Sequence, residues 1–321
     1  VSDTRKAAPA SEAPKKSFSN AAGESLDDIR TIFKNLQNGS PASTLPTIDR
    51  VASRAMGGLI QNRELLMLCG TRPQEGDYLV AHALAMAVVS VNVGTTMGFG
   101  AAQIKSLAYG ALLADVGLLR IPPHILDKTS QLTPREHAEI RRHPAYGLDL
   151  LQNVRRIPIE VPYIVYQSHE RANGTGYPCG KKDVVIHPFA KIVSVADIYS
   201  SVCADRPYRG AKTPYEAVEA LVLMCGKREL NAKVVRSFLA CNSMFPVASF
   251  VRLSDGRIGR VVASNPEDYM KPVVAVIADA ENQPLPAPER VDLLGEESLS
   301  VKEALGAADM PFPVQDEMIG F

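Results

Sequence analysis

An excess of charge of either sign is absent from this sequence, because 35 lysine and arginine residues balance 35 aspartate and glutamate residues. That balance gives no electrostatic reason to expect a nucleic acid polymer or an anionic membrane surface as partner. A C-x-x-C pair is also absent, and the five cysteines are far apart in the chain. This pattern argues against a disulfide framework or a zinc knuckle and favours a reduced, cytoplasmic compartment.

The beginning of the sequence lacks the apolar stretch of a signal peptide, since residues 1–22 are polar and rich in Ala, Ser, Lys and Pro. We expect a flexible tail over residues 1–24. A second segment, Leu79–Ile104, lacks charged residues and is long enough to cross a bilayer. It carries His, Ser, Asn, Thr and Gly residues, which make it too polar for an unaided span. It therefore predicts a buried core helix, and no membrane span is expected.

Helical patterns extend from Ser25 to about Ser243, and nearly half of the whole chain (46%) is apolar, enough to form a packed core. Successive helices without intervening strands predict a mainly α fold, a helical bundle. Apolar spacing predicts helices over residues 26–36, 48–66, 78–97, 104–113, 159–167 and 188–203.

Two further helices begin with the same signature. Thr133–Glu136 and Thr213–Glu216 each offer a Thr N-cap, a Pro at the first helical position and a Glu at the third, which is a capping box. The first predicts a helix to about residue 152, and the second predicts one to about residue 225. Asn231 is expected to cap another helix, through residue 239.

The pattern changes after Phe245. Short strand-like runs at 249–253 and 257–263 flank the hairpin turn signal Ser254-Asp255-Gly256, and 273–278 is another β-branched run. Three or four short strands predict a small β module packed on the bundle. The predicted organisation is a tail (1–24), an N-terminal helical region (25–76), the main helical domain (77–243), the β module (244–295) and an irregular C-terminal tail (296–321).

Ionisable residues stand inside apolar runs of several predicted helices. An ionised carboxylate in such a run is costly unless it is paired or binds a metal. Two such aspartates and three histidines on separate helices would converge in the bundle core, a usual place for a di-metal site. Taken singly, a histidine bonded to a carbonyl or an aspartate capping a helix is a more common explanation of each residue than a metal ligand. The residues are His82, Asp115, His143, His169 and Asp197.

Residues 169–178, which include Gly174-Thr175-Gly176-Tyr177-Pro178, are similar to the HHE-x-x-DG-x-GYP signature of the HD-GYP family, and Ala114-Asp115-Val116-Gly117 resembles its HD-x-GK segment. The motifs that resemble this family run in order from about residue 78 to residue 221. Further matches are the blocks 121–126, 132–134, 143–147, 196–199 and 205–209. The part from Phe245 to Leu294 resembles the β tail often found after such domains. The resemblance implies an HD-GYP-like helical bundle with a small C-terminal β module.

The same resemblance implies a chemistry and a ligand set. HD-GYP proteins hold two, sometimes three, iron- or manganese-type metals that activate a hydroxide against a phosphodiester of cyclic di-GMP. The resemblance places His82, Asp115 and Asp197 on one metal. It places Asp115, as a bridge, with His143 and His169 on the other.

Five departures from the family pattern fall on this site. Ala114 and Ser168 stand where the family has histidines, so each metal would lose one imidazole, and Leu118 stands where it has a lysine. The DG aspartate is Asn173, and an aspartate that usually follows the Ala-Asp-x-Tyr block is Ser200. These losses predict a degenerate centre that holds either one weakly bound divalent metal of the Fe or Mn type or none.

The GYP loop, residues 174–178, is expected to lie on the side of the domain where the ligand binds. Gly174 and Gly176 permit backbone conformations with φ > 0, and Tyr177 is a candidate for stacking on guanine, with packing of the loop as the alternative. Arg206 and Arg209 offer forked donors to phosphate, with structural ion pairs as the alternative. A signalling protein partner would also dock on this loop.

The leading interpretation is a degenerate HD-GYP protein that acts in cyclic di-GMP signalling as a binding or scaffolding module, with little or no hydrolysis. A related dinucleotide is an alternative ligand, and the N-terminal helices offer a surface for a homodimer. The first alternative is a weak metal-dependent cyclic di-GMP phosphodiesterase with an altered ligand set. The second is a protein-interaction domain that binds neither metal nor nucleotide.

Overall fold

A computed structural model of the chain describes residues 12–40, 44–61, 78–204, 212–306 and 309–311. Its α-helices are α1 (Glu12–Gln37), α2 (Thr44–Gln61), α3 (Tyr78–Thr96), α4 (Ala101–Leu113), α5 (Pro123–Leu126), α6 (Pro134–Ile140), α7 (His143–Leu151), α8 (Glu160–Gln167), α9 (Pro188–Cys203), α10 (Pro214–Gly226) and α11 (Ala232–Asn242). The predicted mainly α fold with a small C-terminal β module is confirmed.

Helix α3 is the centre of the bundle. It packs against α1, α2, α4, α9 and α11, and the residues from Ala83 to Gly94 are buried without interruption. Within the described residues it is the one helix long and apolar enough to cross a membrane, and most of its surface lies inside the bundle. This agrees with the prediction of a core helix, because polar residues such as Ser90 and Asn92 lie inside the protein.

The capping boxes at Thr133 and Thr213 are both present, with the Thr side chain accepting from the Glu backbone N–H and the Glu side chain accepting in return. Asn231 also caps its helix as predicted, accepting from Lys233 and Val234. The predicted continuous helix from residue 134 to residue 152 is wrong, because it breaks between α6 and α7. Pro144 in the first turn of α7 has no backbone N–H to continue the ladder, and its ring clashes with a preceding turn.

The C-terminal part forms one antiparallel sheet of five strands in the described residues. They are β1 (Phe250–Leu253), β2 (Ile258–Ala263), β3 (Val273–Ala278), β4 (Pro284–Asp292) and β5 (Val301–Leu305), in the order β4-β3-β2-β1-β5. The first three were predicted, and Gly256 closes the predicted turn with φ +94°.

Three details differ from the sequence predictions. Strand β4 contains prolines, which remove ladder donors, and it lies at the edge of the sheet where this is tolerated. Strand β5 pairs with β1 inside the segment predicted to be an irregular tail. Helix α1 begins at Glu12, inside the predicted flexible tail, where Ala, Glu and Lys favour helix. The end of the helix predicted over 48–66 lies outside the described residues, and the domain limits stay a prediction.

Candidate metal centre

The five predicted ligand residues come from three helices and from two segments that follow helices, and they meet in the bundle core. His82 lies on α3, Asp115 follows α4, His143 begins α7, His169 follows α8 and Asp197 lies on α9. All five are at least 92% buried. The predicted convergence is therefore observed, whereas the role of each residue as a ligand stays a prediction.

Three of these side chains form a compact triangle of donor atoms. His143 Nε2 lies 2.9 Å from His169 Nε2, and Asp115 Oδ1 lies 3.1 Å from His169 Nε2 and 3.6 Å from His143 Nε2. Ligand atoms about 2.1 Å from one metal stand roughly 3.0 Å apart at right angles and roughly 3.4 Å apart in a tetrahedron. The observed separations fit one ion, and two histidines with a carboxylate suit a first-row metal.

A second donor group shares the aspartate. His82 Nε2 lies 3.4 Å from Asp115 Oδ2 and 3.2 Å from Asp197 Oδ1. Asp115 thus turns one oxygen to each group, which is the bridging arrangement that the resemblance implied. The three donor atoms lie within 4.8 Å of one another, so this group also fits an ion.

The two groups differ in how their histidines are held. His143 Nδ1 lies 2.8 Å from the carbonyl oxygen of Ile140, so Nδ1–H donates there and the Nε2 lone pair points into the triangle. His82 Nδ1 is buried, and within the described residues no group hydrogen-bonds to it. Tyr78 stacks on that ring instead, with centroids 5.3 Å apart. A ligating histidine ordinarily donates its second N–H to a fixed acceptor, so the His143 group is the better prepared of the two.

The carboxylates are held ionised by the histidines around them. Burial alone would raise the pKa of Asp115, but the neighbouring imidazoles of His143, His169 and His82 hold it well below its ordinary value. The pKa of Asp197 is likewise lowered against its burial, chiefly by the hydrogen bond with His82. Anionic oxygens in a dry core bind a cation strongly, which fits a metal.

The pKa of His82 moves in the opposite direction. Burial disfavours its charged form, but Tyr78 and the carboxylates of Asp115 and Asp197 outweigh burial and raise the pKa of His82 to about 10. Without a metal, the proton on His82 therefore compensates the buried negative charge. A metal in the second group has to displace that proton.

Two glycines place His143. Gly117 lies so close to α7 that a Cβ there would stand 1.9 Å from the His143 carbonyl oxygen and 2.6 Å from the Gly147 nitrogen. Gly147 itself packs against Val165, whose methyl group would be 2.7 Å from an added Cβ. The short 3-10 helix Val116–Arg120, which follows Asp115, can approach α7 only because of these residues. They bring Asp115 and His143 to one point.

Glu170 fastens the GYP loop, a role that the sequence analysis missed. Its buried carboxylate accepts the backbone N–H of Cys179 at 2.9 Å and that of Lys181 at 2.8 Å. Gly176 lies against the backbone of residues 169–171, where a Cβ would stand 2.3 Å from the Arg171 nitrogen. The signal in the sequence was an acid directly after a candidate ligand, which suggests a structural partner.

Of the two loop glycines, one fulfils the predicted conformational role. Gly174 has φ +86°, the region that favours glycine. Gly176 is not in that region, and its lack of a side chain serves the close approach instead. Tyr177 stacks on His169, with centroids 4.9 Å apart and planes 3° from parallel. Loop packing therefore engages one face of this ring, while its role toward a nucleotide stays a prediction, as for Gly174 and Gly176.

Four of the five substituted positions carry small or apolar side chains. Ala114 is buried beside Asp115 in the chain, and Leu118 is half-buried in the 3-10 helix. Ser168 and Ser200 are buried, and their hydroxyl oxygens have no hydrogen-bond partner within the described residues. Neither alanine nor leucine offers a metal ligand or a charge. Arg206 and Arg209, the predicted phosphate donors, lie outside the described residues.

Comparisons with known proteins agree with the fold and the motifs. The family model described as "HD domain" matches residues 66–234, and that described as "KOW domain associated with HD domain" matches residues 250–311. The chain resembles a cyclic di-GMP phosphodiesterase of Pseudomonas aeruginosa, with 27% identity over 83% of this chain and 64% of that protein. A cyclic di-GMP phosphodiesterase response regulator of Xanthomonas campestris is 33% identical over 44% of this chain and 38% of its own length.

One solved structure shares the fold. It is an HDG"Y"P protein from Bdellovibrio bacteriovorus, with a TM-score of 0.57 and 20% identity, over 68% of this chain and 69% of that one. The chain spans less than two thirds of the length of each curated relative named above. The HD domain match covers more than half of the chain. The chain therefore belongs to the HD domain family, in the HD-GYP group that its motifs predicted.

Proposed function

We propose that this protein binds cyclic di-GMP, or a related cyclic dinucleotide, as a signalling module and hydrolyses it slowly or not at all. The observation that carries the proposal is the intact triangle of Asp115, His143 and His169 beside Ala114 and Ser168. The triangle supplies three ligands for one metal, and the two substituted positions supply none. The centre keeps the means to hold an ion but has fewer groups with which to complete two ion sites.

Dinucleotide binding is supported by the relatives. Several are named cyclic di-GMP phosphodiesterases, and one from Vibrio cholerae, 25% identical over 50% of this chain, is named a 3'3'-cGAMP-specific phosphodiesterase. Both names describe cyclic dinucleotides with two phosphodiesters. The shared ligand class is therefore a better basis for the proposal than one exact nucleotide. Protein partners at the GYP loop, a homodimer and a cytoplasmic location belong to the same proposal.

The expected loss of turnover follows from what the remaining residues do. A bound metal supplies Lewis-acid chemistry to a phosphodiester. Asp115 and the two histidines of the triangle would hold it, and Tyr177 covers one face of the His169 ring. Leu118 offers no charge to a developing anion, and loss of one such donor costs roughly 10²–10³ in rate. We therefore expect the substitutions to reduce hydrolysis of the dinucleotide more than its binding.

A second candidate function has one observation in its favour. Asp115 directs one oxygen to each donor group, so two ions at reduced affinity would still share a bridge. That geometry supports a weak metal-dependent cyclic di-GMP phosphodiesterase at high metal concentration.

Titration of cyclic di-GMP into the full chain tests the proposal, with Mn²⁺ present and with the metal removed by EDTA. We expect binding that is tighter with Mn²⁺ and weaker in Asp115→Ala. Absence of binding under both conditions would overturn the proposal and favour the protein-interaction alternative.

A further inference from the structure

Arg141 occupies the break between α6 and α7, two residues before His143. Its backbone N–H ends α6 by donating to the carbonyl oxygens of Glu139 and His137. Arg141 is exposed, and its guanidinium carbon lies 5.3 Å from the centroid of the Tyr177 ring. Because that ring stacks on His169, the guanidinium stands one aromatic ring away from the candidate metal triangle.

Two arginines act on Tyr177, and they are engaged differently. Burial raises the pKa of Tyr177, while the positive charges of Arg171 and Arg141 oppose the rise. Arg171 is half-buried and donates to Ser194 Oγ at 2.7 Å and to the Glu170 carbonyl oxygen at 3.2 Å. Arg171 therefore serves the loop. Arg141 makes neither a salt bridge nor a hydrogen bond from its guanidinium to any residue that the structure describes.

The neighbouring Arg142 shows what a structurally engaged arginine looks like at the same place. Its guanidinium pairs with Glu139 at 3.1 Å and lies 5.1 Å from the Tyr146 ring centroid. Glu139 also accepts from the Tyr146 hydroxyl. Arg142 thus has both a carboxylate and an aromatic ring as partners, whereas Arg141 keeps all of its N–H donors for an anion. The two arginines form a matched pair for an experiment.

The surroundings of Arg141 favour a phosphate as that anion. The triangle holds one carboxylate, and a divalent ion bound there would leave a net positive charge beside the loop. His143 lies in the first turn of α7, a nine-residue helix whose N-terminal end adds partial positive charge on the same side. A guanidinium binds a phosphodiester through parallel N–H donors. The contact with the Tyr177 ring holds the guanidinium on the side of the centre where that ring stacks on His169.

We propose that Arg141 binds a phosphate of the cyclic dinucleotide at the mouth of the metal centre, held in place by Tyr177. This inference rests on the proposed function and deepens it, because it names a binding residue outside the ligand set. Among the described residues, the Arg141 guanidinium forms no hydrogen bond or salt bridge with any of the five candidate ligands. Its replacement is therefore expected to change affinity for the phosphate ligand and to leave metal affinity unchanged.

The test compares Arg141→Gln with Arg142→Gln in the full, Mn²⁺-loaded chain. Affinities are measured for cyclic di-GMP and for inorganic phosphate, and Mn²⁺ affinity is measured separately by electron paramagnetic resonance. We expect Arg141→Gln to lower the affinity for cyclic di-GMP about tenfold, which is in the range of one charge-assisted contact. We also expect it to reduce the salt dependence of binding. Arg142→Gln should bind like the unmodified chain, and both variants should keep their Mn²⁺ affinity.

The outcomes separate the two proposals. If the unmodified chain binds cyclic di-GMP and Arg141→Gln binds it equally well, the role of Arg141 is refuted while the proposed function stands. If the unmodified chain binds phosphate but not cyclic di-GMP, the dinucleotide proposal fails, and the phosphate affinity of Arg141→Gln decides the role of Arg141. An equal loss in Arg141→Gln and Arg142→Gln indicates general charge alone and overturns the assignment, as does binding of neither probe by the unmodified chain.

Discussion

Replacement of His143 and of His82, one at a time, should have very different effects on metal binding. His143→Gln removes a ligand whose ring is already fixed by the Ile140 carbonyl. His82→Gln removes a ligand whose Nδ1 has no hydrogen-bond partner within the described residues. Loss of a second-sphere partner commonly lowers metal affinity 10- to 100-fold. We therefore expect the metal affinity of the His82 group to be about 10- to 100-fold lower than that of the His143 group because of ring orientation alone.

Protonation widens the difference between the two groups. The pKa of His82 is raised to about 10 by Tyr78 and the carboxylates, against the effect of burial. At pH 7 the neutral form that binds metal is then about one part in 10³, since each pH unit below the pKa costs a factor of ten. The apparent affinity of the second group should fall by the same factor at pH 7. It should recover about tenfold per pH unit as the pH rises.

The assay is a Mn²⁺ titration followed by electron paramagnetic resonance at pH 7. The unmodified chain is expected to bind one Mn²⁺ more tightly than a second, His82→Gln should keep that first ion, and His143→Gln should lose at least about 100-fold in affinity for it, because one of three ligands is gone. A second equivalent of Mn²⁺ should bind only as the pH is raised. If His82→Gln abolishes tight binding while His143→Gln retains it, the reasoning from ring orientation is refuted.

Three further predictions concern stability. In the metal-free protein, the raised pKa of His82 contributes stability that is fully present below pH 6.5, the ordinary pKa of histidine, and is lost as the pH rises toward about 10. Thermal melts of the unmodified chain should show this loss with pH, and those of His82→Gln should not. Identical pH profiles of the two proteins would contradict the prediction. Gly117→Ala should destabilise the fold by several kcal/mol or prevent folding, because the new Cβ meets the His143 carbonyl oxygen. Gly226→Ala, with open space around the new Cβ, should leave the free energy of unfolding in denaturant unchanged. Equal stability of the two variants would refute the packing argument. Glu170→Gln should cost about 1–3 kcal/mol, because the amide NH₂ faces one of the two backbone N–H donors and only one oxygen is left to accept. Faster hydrogen exchange of residues 179–181 would show it, and unchanged exchange there would count against the loop contact.

The sequence predicted the start of a helix best where a local capping signal defined it. The Thr133 and Thr213 boxes and the Asn231 cap are short-range interactions, and all three are present. The break before His143 was missed although Pro144 stands beside it, because a proline in the first turn of a helix is as compatible with a new helix as with a kink. Strand β5 was missed because its pairing with β1 joins residues far apart in the chain.

The candidate ligands could be predicted as a set, but their unequal preparation could not. Motif order named His82 and His143 alike, whereas the Ile140 carbonyl and the stacked Tyr78 ring distinguish them only in three dimensions. Arg141 was passed over for a similar reason. Nothing in its position along the chain indicates that it lies over Tyr177. Tertiary contacts of this kind carry no short-range sequence signal.

The most direct measurement of the central claim is a time course of cyclic di-GMP hydrolysis by the full chain loaded with Mn²⁺. We expect binding of cyclic di-GMP with little or no product. We also expect the combined variant Ala114→His, Ser168→His and Leu118→Lys to gain metal occupancy first and turnover second, since a bound metal is required for the chemistry. Robust turnover by the unmodified chain, abolished in Asp115→Ala, would contradict the claim and establish a working phosphodiesterase.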